Sequence, residues 1–186
     1  MEYFEVPQIK FNPIPHIEFM DQHADKFQHI LTDNNQPHIT YIDRHSQENN
    51  NDFVFLSHDD KTDLKQLPFV KEITDQISDL FDIQDNTKWP IQYIKMSPNY
   101  KLDIHSDVNR KCGLMIELKS VGGSISWYDS NKTLTKTLKY TVPAVCNTEQ
   151  LHSASGGSET RYQLQIDMNY NFTTEQVYQK FRHAIL

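Results

Sequence analysis

His105 and Asp107 lie two positions apart in the stretch Tyr100-Lys-Leu-Asp-Ile-His-Ser-Asp-Val-Asn-Arg110. Alternate residues of a β-strand point to the same face. If this stretch is extended, the His105 imidazole and the Asp107 carboxylate enter one space, while Ser106 points away. A His nitrogen beside a carboxylate oxygen makes two-thirds of a 2-His-1-carboxylate metal face. A third ligand is available in His152, 45 positions after Asp107, within Asn147-Thr-Glu-Gln-Leu-His-Ser-Ala-Ser-Gly-Gly157. Arg161 follows nine positions later and opens the alternating run Arg-Tyr-Gln-Leu-Gln-Ile-Asp167. On that run Arg161 and Gln163 share one face, and Tyr162, Leu164 and Ile166 share the other. An arginine pointing into a barrel needs an anionic partner, because a buried unpaired cation is costly. A carboxylate held by two N–H groups at once is the natural match; a structural ion pair to Asp103 or Asp167 is the alternative.

Converging these residues requires strands. From Pro90 the hydrophobic period is two, and strands are expected at Ile91–Met96, Leu102–His105, Cys112–Leu118, Ser124–Trp127, Thr133–Tyr140, Ala144–Asn147, Leu151–Ser153 and Arg161–Met168. Turns at Pro98-Asn99, Gly122-Gly123, Ser130-Asn131 and Gly156-Gly157 separate several of them. Eight short strands in so few residues predict a mainly β architecture with flanking helices, a jelly roll or barrel of the cupin kind. In such a barrel an early and a late strand can lie side by side, which would bring His105, Asp107 and His152 together.

The first 89 residues read as a covering. Pro7, Pro13, Pro15 and Pro37 are expected to break long elements in residues 1–52, leaving a short helix around Asp21–Leu31. Ser46-Gln-Glu-Asn-Asn-Asn-Asp52 reads as a loop, followed by a short strand, Phe53–Leu56. After Pro68, the spacing of Val70, Ile73, Ile77, Leu80 and Phe81 predicts an amphipathic helix of about three turns. The tail from Thr173 has a Thr cap and an acidic first turn, so a closing helix is expected. Residues 1–186 are thus expected to form a single domain: a covering (1–89), a jelly-roll core (90–170) and a closing helix (171–186).

Composition narrows the function. A net charge of -7 argues against a nucleic-acid-binding surface. The spread-out basic group Lys132, Lys136 and Lys139 reads as a solvated strand edge. No window supplies the roughly 18 apolar residues of a membrane span, and the N-terminus has neither the basic start nor the apolar run of a secretory signal. Two cysteines in strand-like segments, Cys112 and Cys146, read as reduced packing residues of a cytoplasmic protein. Nucleotide-binding glycine loops, a nucleophile elbow and Cys-x-x-Cys are all missing from the sequence.

His105-x-Asp107, then His152, then Arg161, resembles the motif of the Fe(II)/2-oxoglutarate-dependent oxygenases with a double-stranded β-helix fold. The similarity spans about residues 90–170, and the nearest flavour is that of aspartyl/asparaginyl β-hydroxylase-like and small phage or bacterial members. The resemblance implies that His105, Asp107 and His152 hold Fe(II) and that Arg161 binds the distal carboxylate of 2-oxoglutarate. It further implies that O2 is consumed to hydroxylate a C–H bond of a small-molecule or peptide/protein substrate. Gln163 departs from the Ser or Thr that many relatives place two residues after the arginine. Arg110 is either a helper for an anionic group or, with Lys111, a solvated turn. Tyr93 and Trp127 are either pocket walls or core. The rival functions are a cupin-type protein that binds metal or ligand without oxidation, a zinc hydrolase, and a purely structural or interaction protein.

Overall fold

The structure, a computed structural model, describes residues 1–24, 53–57, 64–81, 90–107, 110–168 and 172–184. Among these residues are ten strands: β1 (Tyr3–Glu5), β2 (Phe53–Ser57), β3 (Ile91–Met96), β4 (Lys101–His105), β5 (Cys112–Lys119), β6 (Ser124–Tyr128), β7 (Leu134–Lys139), β8 (Ala144–Asn147), β9 (His152–Ser155) and β10 (Arg161–Asp167). Three α-helices accompany them: α1 (Pro13–Gln22), α2 (Pro68–Phe81) and α3 (Thr174–Ala184). The strands form two antiparallel sheets, a larger one in the order β1-β8-β5-β10-β3-β2 and a smaller one in the order β4-β9-β6-β7. Strands β3 to β10 alternate between the sheets, except that β6 and β7 form a hairpin within the smaller one, which is the pattern of a double-stranded β-helix, a jelly roll, as the period-two pattern predicts.

Alternation along each strand of the larger sheet creates two layers. On one face Ile91 and Tyr93 of β3, Leu114, Ile116 and Leu118 of β5, and Leu164 and Ile166 of β10 pack against the helices. Helix α2 supplies Val70, Ile73, Ile77 and Phe81, all fully buried, at the spacing of one helical stripe. Each such side chain contributes on the order of 1.5–3 kcal/mol by leaving water. Helix α2 begins at Pro68 as predicted, but its 14 residues make it about a turn longer. The opposite face of the sheet, with Ile94, Met96 and Met115, looks into the barrel. Helix α3 is closed by reciprocal bonds: Thr173 Oγ1 accepts from the Gln176 amide (3.3 Å) and Gln176 Oε1 accepts from the Thr173 amide (2.9 Å). Strand β7 is an edge strand of the smaller sheet; its Lys136 and Lys139, and Lys132 in the turn before it, are exposed at that rim, as expected.

The N-terminal covering departs from the sequence expectation. Pro13 and Pro15 do not break a helix but stand in the first turn of α1, where the proline's missing N–H costs nothing. Asn12 caps it by accepting the Ile14 amide at 3.1 Å. Tyr3–Glu5 adds a strand beside β8, extending the larger sheet. The helix expected at Asp21–Leu31 falls outside the described residues beyond position 24, as does the whole Ser46–Asp52 loop. Among the described residues no helix is long and apolar enough to cross a membrane.

Helix α1 buries His16 completely, with Nδ1 2.7 Å from the Tyr93 hydroxyl. Burial pushes His16 down to about 4. The unfolded chain therefore takes up this proton near pH 6.5 while the folded chain does not, and stability falls as pH drops from 6.5 toward 4. The expected slope is about 1.4 kcal/mol per pH unit in that window. Denaturant unfolding between pH 5 and 7.5 should show a slope smaller by about one proton in His16→Gln; an unchanged slope would mean that His16 is already protonated when folded.

Candidate metal centre

The bulged pairing of β4 with β9 brings His105 directly opposite His152, and the two ring centroids are 4.3 Å apart. Asp107 lies just past the end of β4, and its amide donates to the Thr148 carbonyl (2.8 Å), which ties it to the segment leading into β9. One ligand atom from each of His105, Asp107 and His152 falls within 4.8 Å of the others, and such a group can hold a metal ion. The sequence reading that these three converge is thus met in space.

Their hydrogen bonds suit metal binding. His105 Nδ1 is 2.7 Å from the Asp103 carbonyl and His152 Nδ1 is 2.9 Å from the Gln150 carbonyl. A carbonyl only accepts, so each Nδ1 carries the proton and each Nε2 keeps a lone pair for a metal. Burial, helped by neighbouring His105, pushes His152 down to about 4, which leaves it neutral. Burial alone would raise the Asp107 carboxyl, but Arg110, His152 and His105 outweigh it and hold the group below its ordinary range. Asp107 Oδ1 lies 3.8 Å from His105 Nε2, on the side of the trio.

Arg110 is no solvated turn: it lines the barrel cavity and its N–H groups go to two carboxylates of the chain. Its Nε donates to Asp107 Oδ2 at 2.9 Å, its Nη2 to the same oxygen, and its Nη1 to Asp167 Oδ1 at 2.9 Å. The guanidinium spans two carboxylates, one of them in the trio, and so fixes Asp107 with Oδ1 left over. Thr148, fully buried, completes the bracket by donating to the Arg110 carbonyl at 3.1 Å. This function of Arg110 was missed because the two carboxylates are 60 positions apart and meet only when β10 pairs with β5.

Inside the barrel a cavity of about 60 Å³, room for roughly five waters, runs from His105 and His152 past Ile94, Leu102 and Met115 to Tyr140 and Gln163. Arg161 is 1% exposed, as the alternation of β10 requires, and its guanidinium lies 4.9 Å from the Tyr140 ring. Gly123 makes room for it: a Cβ there would come within 3.0 Å of Arg161 Cδ. Arg161 does find a carboxylate, though neither Asp103 nor Asp167. Nε donates to both oxygens of Glu117 at 3.0 Å, and Nη1 donates to the Ser155 carbonyl at 3.1 Å. Arg161 Nη2 is a buried donor without a hydrogen-bond partner, and the Gln163 side chain lies against the Tyr140 hydroxyl. A buried N–H donor without a partner suits a carboxylate from a bound molecule, so the residues present fit a metal and an organic acid.

Tyr93 and Trp127 are fully buried and do not line this cavity. The Tyr93 hydroxyl contacts His16, and Trp127 Nε1 donates to the Asn147 carbonyl at 2.7 Å. Cys112 and Cys146 are free and buried, and burial pushes both thiols up to about 12, as suits packing residues rather than nucleophiles.

No protein-family model matches the sequence, and no curated protein matches it. Solved structures do. A Pseudomonas putida prolyl-4-hydroxylase superposes with a TM-score of 0.54 at 8% identity, over 89% of this chain and 91% of that one. A viral collagen prolyl hydroxylase from Paramecium Bursaria Chlorella virus-1 superposes with a TM-score of 0.53 at 12% identity, over 90% of this chain and 94% of that one. At such identities the shared property is the fold: the chain has the double-stranded β-helix seen in these two hydroxylases.

Proposed function

We propose that this protein is an Fe(II)- and 2-oxoglutarate-dependent oxygenase that hydroxylates a C–H bond of an amino-acid side chain, free or within a peptide or protein. One observation carries the reading: a His-Asp-His trio is accompanied by a buried arginine on β10 with an unpartnered N–H. The fold shared with two prolyl hydroxylases, one of them solved as a 2OG complex, supports it. Residues 1–186 would act as one domain, with 1–89 and 171–186 closing over the jelly roll of 90–170.

Fe(II) and 2-oxoglutarate, when bound, would supply the oxidising power through decarboxylation to succinate at the expense of O2. The chain's own residues do the rest. His105 and His152 present Nε2 lone pairs in a fixed tautomer, and Asp107 presents Oδ1 because Arg110 occupies Oδ2. Arg161 Nη2 and Gln163 Nε2 receive the distal carboxylate and orient the acid along the cavity. Ile94, Leu102, Met115 and Ile125 shield the interior from bulk water, which strengthens each of these polar contacts.

Fe(II) followed by 2-oxoglutarate, added anaerobically to the metal-free protein, should produce the visible charge-transfer band of the chelate. Arg161→Ala should lose the band at a co-substrate concentration that saturates the wild type. Glu117 on Arg161 is the one observation that favours a non-oxidative cupin-type binder instead. Bound metal with no band in the wild type would move the assignment there.

A further inference from the structure

The arginine assigned to the co-substrate is only half engaged. A carboxylate that fully engages a guanidinium edge takes Nε and Nη2 together as a fork. Glu117 places both of its oxygens on Nε and leaves Nη2 without a partner. Glu117 stands opposite Gln163 in the β5–β10 ladder, beside a bulge in which Leu118 has no partner between the Glu117–Gln163 and Lys119–Tyr162 pairs. Alternation along β5 puts Glu117 on the barrel side with Met115 and turns Leu118 to the helices with Ile116. The two partners also differ in exposure: the Arg161 side chain is 1% exposed and that of Glu117 15%. Glu117 and Tyr140 border a cleft of about 430 Å³ outside the barrel, whose walls include Lys10 and Lys119. A glutamate released from Arg161 therefore has space, and cationic neighbours, to move into.

We propose that Glu117 is a built-in counter-ion that competes with the distal carboxylate of the co-substrate for Arg161, and so sets both the affinity and the charge selectivity of that end of the cavity. This rests on the oxygenase reading above. With Glu117 in place the anchor is a neutral pair offering one free donor. An incoming dicarboxylate must tolerate a second carboxylate beside the same guanidinium or displace it. Burial already pushes the Glu117 carboxyl above its ordinary range, against the pull of Arg161 and Ser120.

Glu117→Gln removes the charge and keeps an oxygen able to accept from Arg161 Nε. Anaerobic titration of the Fe(II) protein, read by the charge-transfer band and by calorimetry, should give 2-oxoglutarate binding tighter by about 10-fold or more. Pyruvate, which has the same 2-oxo-acid head and no distal carboxylate, should bind the variant and the wild type alike. Glu117→Ala, with its fold checked by circular dichroism, should shift the same way. Unchanged or weaker 2-oxoglutarate binding in both variants would overturn the role of Glu117 as competitor, as would a gain shared equally by pyruvate. Failure of the Fe(II)-loaded wild type to bind either acid would overturn the oxygenase reading, and this inference with it.

Discussion

Replacing His152 with alanine is expected to lower metal affinity by more than about 100-fold. Losing a residue that merely orients a ligand typically costs 10–100-fold, and His152 is proposed as a ligand itself. The two groups that remain, His105 Nε2 and Asp107 Oδ1, are 3.8 Å apart and offer one edge of a coordination sphere rather than a face. The cleanest readout is thermal. A metal at 100 times its dissociation constant should stabilise the wild type by about 2.7 kcal/mol, a rise in melting midpoint that His152→Ala should lose. His152 is buried and neutral at pH 7, so its removal leaves no unpaired charge and the metal-free variant should stay folded. If Fe(II) or Zn(II) still stabilised His152→Ala as much as the wild type, the ion would be binding elsewhere and the trio would not be the site.

What could be read from the sequence, and what could not, divides along a physical line. Period two in Ile91–Met96 and Arg161–Asp167 survives because each strand has one face against the helices and the other in the barrel; both faces are buried, so alternation reports which side a residue faces rather than whether it is exposed. For the same reason the inward direction of Arg161 and Gln163 was legible. The convergence of His105 with His152 was legible only as a possibility, since it depends on β4 pairing with β9 across 47 positions and on a bulge that sets the register. Partners were harder. Glu117 meets Arg161, and Asp167 meets Arg110, through the β5–β10 ladder and the loops beyond it. Nothing local to Glu117 or Arg110 signals that pairing. Pro13 and Pro15 misled for a different reason, because a proline reads as a breaker until the position of the helix start is known.

The site's polar groups are graded along the barrel. At one end, the His105 and His152 imidazoles are held by backbone carbonyls and Asp107 by Arg110. Three residues further along β9, Ser155 and the Arg161–Glu117 pair close the interior.

Replacing Arg110 with methionine should cause the largest loss of stability, about 3 kcal/mol or more at pH 7 in the metal-free protein. Arg110 is the common partner of Asp107 and Asp167, whose side chains are 19% and 14% exposed. Removing one member of a buried ion-pair network leaves the others charged and unpaired, which typically costs 3–5 kcal/mol. That is a large part of the 5–15 kcal/mol that holds a domain folded. The variant should also respond to pH in a distinctive way. Even with Arg110 present, burial pushes Asp167 up to about 6. Without the guanidinium, Asp107 loses its main attraction and Asp167 loses its cationic partner, so both carboxyls would take protons more readily when folded than when unfolded. A raised folded pKa favours the native state at low pH, and that advantage is lost as pH rises through it. Arg110→Met should therefore close part of its gap to the wild type on going from pH 7.5 to 5, and Arg110→Lys, which keeps the charge without the fork, should fall between the two. Denaturant midpoints across that range decide the matter: a gap that stays constant or widens toward pH 5 would show that Arg110 stabilises the fold by packing rather than by holding two carboxylates.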